Sequence, residues 1–157
     1  SNNFSVYGAL AYTDAKLVSY PAAACPLELS NRNTCDLSGY PIAGIPKWSA
    51  SVGGEAKQPV TVFGTASEAY VGFDYSYRSS VNNGGYSAAT VLPPLNLANV
   101  RLGVRALNRR TDLSVWVKNL FDKEYFSDIA AGVGNTGLLT GQLGDPRTYG
   151  VTLRLHF

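Results

Sequence analysis

Apolar and polar residues alternate with a period of two along much of this chain. The last ten residues are the clearest: Tyr149, Val151, Leu153, Leu155 and Phe157 share one face, and Thr148, Gly150, Thr152, Arg154 and His156 the other. No helical face passes through that pattern, because its apolar residues never recur three apart. Five earlier segments behave the same way. Phe4, Val6, Gly8, Leu10 and Tyr12 oppose Ser5, Tyr7, Ala9, Ala11 and Thr13. Trp48, Ala50 and Val52 oppose Ser49, Ser51 and Gly53, with Glu55 further along the second face. Ala69, Val71, Phe73, Tyr75 and Tyr77 oppose Tyr70, Gly72, Asp74, Ser76 and Arg78. Val100, Leu102, Val104 and Ala106 oppose Arg101, Gly103 and Arg105, and Leu113, Val115 and Val117 oppose Ser114, Trp116 and Lys118. The alternation predicts six strands, each of about ten residues.

The connections alternate in length. Long ones run from about Ser19 to Pro46, Ser79 to Asn96 and Tyr125 to Asp145. Short ones fall near Pro59 to Ala66 and at Asn108, Arg109, Arg110 and Thr111. An up-and-down antiparallel meander then carries its long loops at one end, as transmembrane β-barrels do. Ten residues at ~3.3 Å each, tilted by ~45°, span ~23 Å, close to a barrel's ~25 Å apolar band. Tyr12, Tyr75, Tyr77, Tyr149 and Phe157 lie near strand ends, where aromatic girdles meet the membrane interface. A soluble β-sandwich also alternates, with its apolar faces turned into its own core. Two features point to the membrane instead. A sandwich does not need loops sorted by length to opposite ends. Its core would also be richer in large side chains than faces carrying Gly8, Ala50, Ala69 and Ala106.

Composition narrows the function. At 157 residues the chain suggests one domain, and no apolar run reaches the ~18–20 residues of a membrane helix. The net charge of +2 is too small and scattered for a nucleic-acid partner, and 15% charged residues argue against disorder. One His and two Cys do not make a common zinc site, so no metal or other cofactor is expected. No Ser/His/Asp or Cys/His constellation is present, and the chain does not read as an enzyme. The Gly-rich stretch Gly132-Val133-Gly134-Asn135-Thr136-Gly137 follows no Rossmann strand and opens no helix, so it reads as a surface loop.

The C-terminal third carries a more specific signal. Val117-Lys118-Asn119-Leu120-Phe121-Asp122-Lys123-Glu124-Tyr125 is followed by a loop, then Gly144-Asp145-Pro146-Arg147-Thr148-Tyr149-Gly150 and the terminal strand ending in Phe157. This combination resembles the closing segment of TonB-dependent outer-membrane receptors. Looser matches are Tyr12-Thr13-Asp14-Ala15, Gly44-Ile45-Pro46-Lys47-Trp48-Ser49 and Asp74-Tyr75-Ser76-Tyr77-Arg78. The motif residues also have independent physical readings. Asn119 can bond local backbone where its strand ends, and Asp145 can start the turn before the last strand. Pro146 suits a strand's first residue, and Gly150 leaves room for a close approach on the inner face.

The resemblance implies an all-β fold: about six antiparallel strands of a larger transmembrane barrel of about 22 strands. It implies placement in the bacterial outer membrane, with a periplasmic C-terminus and extracellular long loops. The family's plug domain and TonB-binding segment are not in this sequence, which therefore reads as part of a longer protein. The partners implied are the remainder of the barrel and its plug, the TonB complex, outer-membrane lipid, the outer-membrane insertion machinery and a nutrient ligand. The function implied is active import of a scarce nutrient of siderophore, cobalamin or carbohydrate type. The alternative is a passive pore or structural barrel to which each chain contributes a few strands.

Against that background the candidate residues acquire roles. Cys25 and Cys35, ten residues apart, are wrong for a C-x-x-C motif and read as a disulfide of the first long loop. Arg101, Arg105, Lys118 and Arg154 are candidate lumen charges, either a basic wall for an anionic substrate or ordinary polar lining. Tyr149, Val151, Leu153, Leu155 and Phe157 resemble the family's C-terminal assembly signal, an alternating edge strand open to capture by strand addition. Tyr20, Tyr40, Tyr86, Tyr125 and Phe126 fall in loops, either to stack on a ligand or to sit at headgroup level. The first and last strands are expected to pair outside these residues, because a sheet edge left open in lipid is costly.

Overall fold

The computed structural model describes residues 3–107, 111–132 and 137–156. The described strands are β1 (Phe4–Tyr12), β2 (Trp48–Val62), β3 (Thr65–Arg78), β4 (Val81–Asn82), β5 (Val91–Leu92), β6 (Leu95–Ala106), β7 (Thr111–Lys118), β8 (Phe126–Ala131), β9 (Leu139–Leu143) and β10 (Thr148–Leu155). The fold is all-β, and its pairings are antiparallel. Six strands form the main sheet in the order β1-β2-β3-β6-β7-β10, and β4-β5 and β8-β9 form small hairpins of their own. All six expected strands are therefore present, in meander order. β1 and β10 are the two edges of the sheet and no ladder joins them, so the described chain is open rather than a six-stranded ring.

Register aligns every alternating segment. The row Phe4–Ala56–Val71–Leu102–Val115–Val151 crosses all six strands. Beside it runs Val6–Gly54–Phe73–Val100–Val117–Tyr149. These rows belong to one face, since residues two apart along a strand point the same way. Among the described residues nothing covers that face: Leu10 is 71% exposed, Leu102 50% and Val151 69%. Most of the buried residues lie instead in the long connections, where Ala23, Leu37, Ser87, Thr90 and Leu92 are almost completely enclosed, while Ser67, Tyr70 and Ala98 are buried within the sheet.

β2 and β3 run on past the expected short connection to a two-residue turn at Phe63 and Gly64, both with positive φ. Positive φ at both central residues is the signature of a tight hairpin turn whose twist suits the strands. Pro59 is tolerated inside β2 because of where its missing N–H would point. The Lys57 N–H donates across the sheet to the Asn3 carbonyl, so Pro59, two residues on, faces the same side, beyond the described start of β1. Three long connections leave one end of the sheet and the short ones lie at the other. The turn residues Asn108, Arg109 and Arg110, the loop residues 133–136 and Phe157 lie outside the described residues.

Candidate functional site

The second face of the sheet is polar, and its charges sit together because register brings them together. Glu55, Gly72, Arg101, Trp116 and Gly150 form one row, and Glu68, Arg105, Asp112 and Arg154 another. Arg101 donates to Glu55 at 2.9 Å, and Arg105 lies 3.9 Å from the same carboxylate. Arg105 Nε also donates to Asp112 at 3.2 Å, and the Tyr70 hydroxyl donates to Asp112 at 2.8 Å. Both guanidinium groups lie over the Tyr70 ring, at 5.8 Å for Arg101 and 4.7 Å for Arg105. The expected lumen cations Arg101 and Arg105 thus form one cluster with Glu55, Asp112 and Tyr70. Such part-exposed pairs contribute only ~0–1 kcal/mol each, so they keep the face polar rather than hold the sheet together.

Arg154 stands opposite Asp112 across the β7–β10 ladder, but neither it nor Lys118 forms an ion pair among the described residues. Lys118 stands 5.4 Å from the Trp116 ring, whose Nε1 donates to Thr152 at 3.0 Å. A shallow hollow of about 410 Å³ runs over Arg101, Arg105, Trp116, Lys118, Thr152 and Arg154. Glycines make this face possible. A Cβ on Gly103 would meet the Tyr70 ring at 2.5 Å, and one on Gly150 would meet the Trp116 ring at 2.6 Å. The close approach expected at Gly150 is therefore that of its own cross-strand neighbour, Trp116.

Tyr149, Val151, Leu153 and Leu155 occupy the opposite, apolar face of β10 on the open edge. Phe157, the last residue of that candidate assembly signal, falls outside the described residues. His156 is exposed.

At the loop end, the three long connections are tied into one layer. Cys25 and Cys35 are disulfide-bonded, closing a turn whose flanking Ala23 and Cys35 backbones pair. Glu28, in the same turn, accepts from the Ser87 hydroxyl and the Ala88 N–H of the second connection, each at 2.8 Å. Tyr40 meets Tyr86 edge to face at 5.9 Å. Asn83 of the second connection donates to Asp128 of the third. Two of the loop aromatics, Tyr40 and Tyr86, thus stack on each other across two loops.

Glu28's own backbone N–H, then the Ser87 hydroxyl and the Ala88 N–H, hold its carboxyl below the usual carboxylate range. A depressed carboxyl stabilises the folded contact above the unfolded pKa of ~4.3 and loses that contribution as pH falls through the folded value. The tie between the first and second connections should therefore persist at neutral pH and release in acid. Amide exchange protection at Ala88 and Ala89 should drop below about pH 4, and Glu28→Gln should remove the acid step. Protection that is independent of pH in the unsubstituted protein would contradict this.

The residues that carry the C-terminal signal turn out to touch one another. The Asn119 side chain accepts from the Lys123 N–H at 2.9 Å and donates to the carbonyls of Lys123 at 2.9 Å and Asp145 at 3.2 Å. Asp122 accepts from the Arg147 N–H at 3.1 Å and pairs with its guanidinium at 3.3 Å. A Cβ on Gly144 would meet the Tyr125 ring at 2.1 Å, so the ring lies on the glycine. This cluster clamps the foot of the third connection, between β7 and β10. The role expected for the Asp145 side chain is taken by Asp122, and Asp145 contributes its backbone carbonyl instead. Asp112, Glu28 and Asp128 were not singled out by pattern, because their partners lie on other strands or loops.

Among the described residues no group of three or more His, Cys, Asp or Glu side chains could hold a metal ion. No family model matches the chain, and no curated protein and no solved structure does either.

Proposed function

We propose that this chain is a six-stranded stretch of a larger transmembrane β-barrel in the bacterial outer membrane. The barrel would belong to an active-transport receptor that binds a scarce nutrient outside and imports it with TonB-derived energy. The observation that carries the reading is the two-sidedness of a single uncovered sheet. One face is an apolar surface across six strands, and the other holds ion pairs, aromatic hydroxyls and glycines. In water, an apolar surface of that extent would demand a second layer, and monomeric proteins rarely expose such patches. In a bilayer the same face is satisfied by lipid, and the backbone is satisfied by its neighbours in the ladder.

Three further features support it. An aromatic group made of Tyr12, Trp48, Tyr75, Tyr77 and Tyr149 occupies the loop-end part of the apolar face, with Tyr12 and Trp48 rings 4.7 Å apart. The long connections form a tied layer at that same end, where a ligand would arrive. The clamp around Asn119 accounts physically for the segment that resembles the receptor family. The edges β1 and β10 then pair with the remainder of the barrel, whose plug and TonB-binding segment lie outside this sequence. β10 would also be the strand presented to the insertion machinery.

Uptake of candidate nutrients by cells carrying the intact protein tests the reading. Energised transport should collapse when the proton-motive force is dissipated. Uptake that continues unchanged would replace the receptor with a passive pore.

A further inference from the structure

The β8–β9 hairpin has one covered side and one open side. On the β8 side it meets the second connection: Asn83 donates to Asp128, and the Ala131 Cβ lies 3.6 Å from where a Cβ on Gly85 would stand. The outer strand, β9, is Leu139-Thr140-Gly141-Gln142-Leu143, and all five of its residues are exposed.

The ladder shows which way their backbone groups point. The Gly132 N–H donates to the Leu138 carbonyl at 2.7 Å, so these two residues form a hydrogen-bonded pair. Such pairs recur at every second residue of an antiparallel ladder, which makes Ala130–Thr140 and Asp128–Gln142 the next two. The N–H and C=O groups of Leu139, Gly141 and Leu143 therefore point away from β8, and no backbone group meets them among the described residues. Proteins usually blunt an edge of this kind with a charge, a proline or a bulge, because it is a template for a further strand. β9 has no charged residue and no proline, and the hairpin's register shift falls in β8, between Phe126 and Asp128. Its two leucines are instead open to the surroundings, Leu139 by 41% and Leu143 by 70%.

Position says what covers this edge. The second connection joins β3 to β6 and the third joins β7 to β10, so the connections follow the order of their strands. With β8 against the second connection, β9 is the outer strand of the loop layer on the side where β10 is the outer strand of the sheet. We propose that β9 pairs with an extended segment in the loop of the strand that neighbours β10 in the closed barrel. Backbone bonds to Leu139, Gly141 and Leu143 hold that segment, and apolar side chains on it pack against the two leucines. The inference rests on the barrel reading, which supplies the neighbouring strand, and adds that the seam at β10 is held above the membrane as well as within it.

Amide exchange of the intact protein refolded into bilayers, read residue by residue, tests this. A strand paired on both sides protects consecutive amides, whereas an edge strand protects every second one. Protection is expected at both Thr140 and Gly141 in β9, and at both Val151 and Thr152 in β10. Leu143→Pro removes an outward N–H and no bond to β8, so it should speed exchange at Leu139 and Gly141 about five-fold or more and leave Thr140 and Gln142 unchanged. Protection at Thr140 without protection at Gly141, while β10 is protected throughout, would overturn the inference and leave the barrel standing. No change at Leu139 and Gly141 in the proline variant would do the same. Alternating protection in β10 itself would remove the neighbouring strand, and both readings with it. Protection of Gly141 that vanishes on dilution to a monomer would assign the edge to a second copy and overturn the inference as well.

Discussion

Leu102→Arg should cost about 2–4 kcal/mol of folding stability when the intact protein is refolded into lipid bilayers. Leu102 lies near the middle of β6, in the row with Val71, Val115 and Val151, and half of its surface is open. In lipid that open half faces hydrocarbon, and an arginine at the midplane must drag water or headgroups toward it. In water the same exposure predicts the opposite: replacing an exposed leucine with arginine usually changes stability by no more than ~0.5 kcal/mol. One substitution therefore separates the membrane face from an exposed soluble one. Depth sharpens the test. Leu155 lies at the short-turn end of β10, paired with Thr111, and the cost of arginine there should fall to about 0–1 kcal/mol. Equal and small effects at both positions in bilayers would contradict a lipid-facing sheet.

The strands and their faces were legible because period two survives wherever one side of a strand is apolar and the other polar. That condition holds from Phe4 to Tyr12 and from Thr148 to Leu155. It fails at the ends that pattern reading clipped. Gln58 and Ser67 sit on the apolar face near the short turn, so β2 and β3 extend further than the alternation announces. In β6 the pattern inverts at the loop end: Leu95 and Leu97 take the polar side, while Asn96 takes the other. Leu95 there helps wall a cavity beneath the third connection, so its side chain answers to loop packing rather than to the sheet's two faces. The short strands β4, β5, β8 and β9 were illegible as well. β4 and β5 have two residues each, too few for a period to show, and the β8–β9 register shifts between Phe126 and Asp128, which breaks the alternation there.

The site divides in the same way. Arg101 and Arg105 could be placed on one face from spacing alone, because two residues along a strand return to the same side. That Asp112 would join them depends on the β6–β7 register. The disulfide needed only two cysteines and a loop. Asn119 could be read as bonding nearby backbone, and its bonds to Lys123 match that reading. Its bond to Asp145, 26 residues on, exists only because β10 returns beside β7.

That return is what makes Asn119→Ala the second large effect. Asn119 is 5% exposed and sits at φ 49°, a left-handed conformation that asparagine tolerates better than alanine. Alanine removes three side-chain hydrogen bonds, one to the Lys123 N–H and two to carbonyls, at ~1 kcal/mol each. Strain at positive φ adds to that, for an expected loss of about 3–4 kcal/mol. Asn119→Gly loses the same bonds without the strain and should be milder by about 1 kcal/mol, so the pair separates bonding from conformation. The consequence should also reach β10. With the clamp weakened, the foot of the third connection no longer fixes where Thr148 meets Lys118. A slip of one residue would turn Val151 inward and Thr152 outward. Single cysteines at Val151 and Thr152, labelled with a lipid-soluble and a water-soluble reagent in the refolded protein, read this directly. In the unsubstituted background Val151→Cys should take the lipid-soluble label, and the Asn119→Ala background should mix the two patterns. Unchanged stability together with unmixed labelling would mean that the β7–β10 ladder alone sets the register.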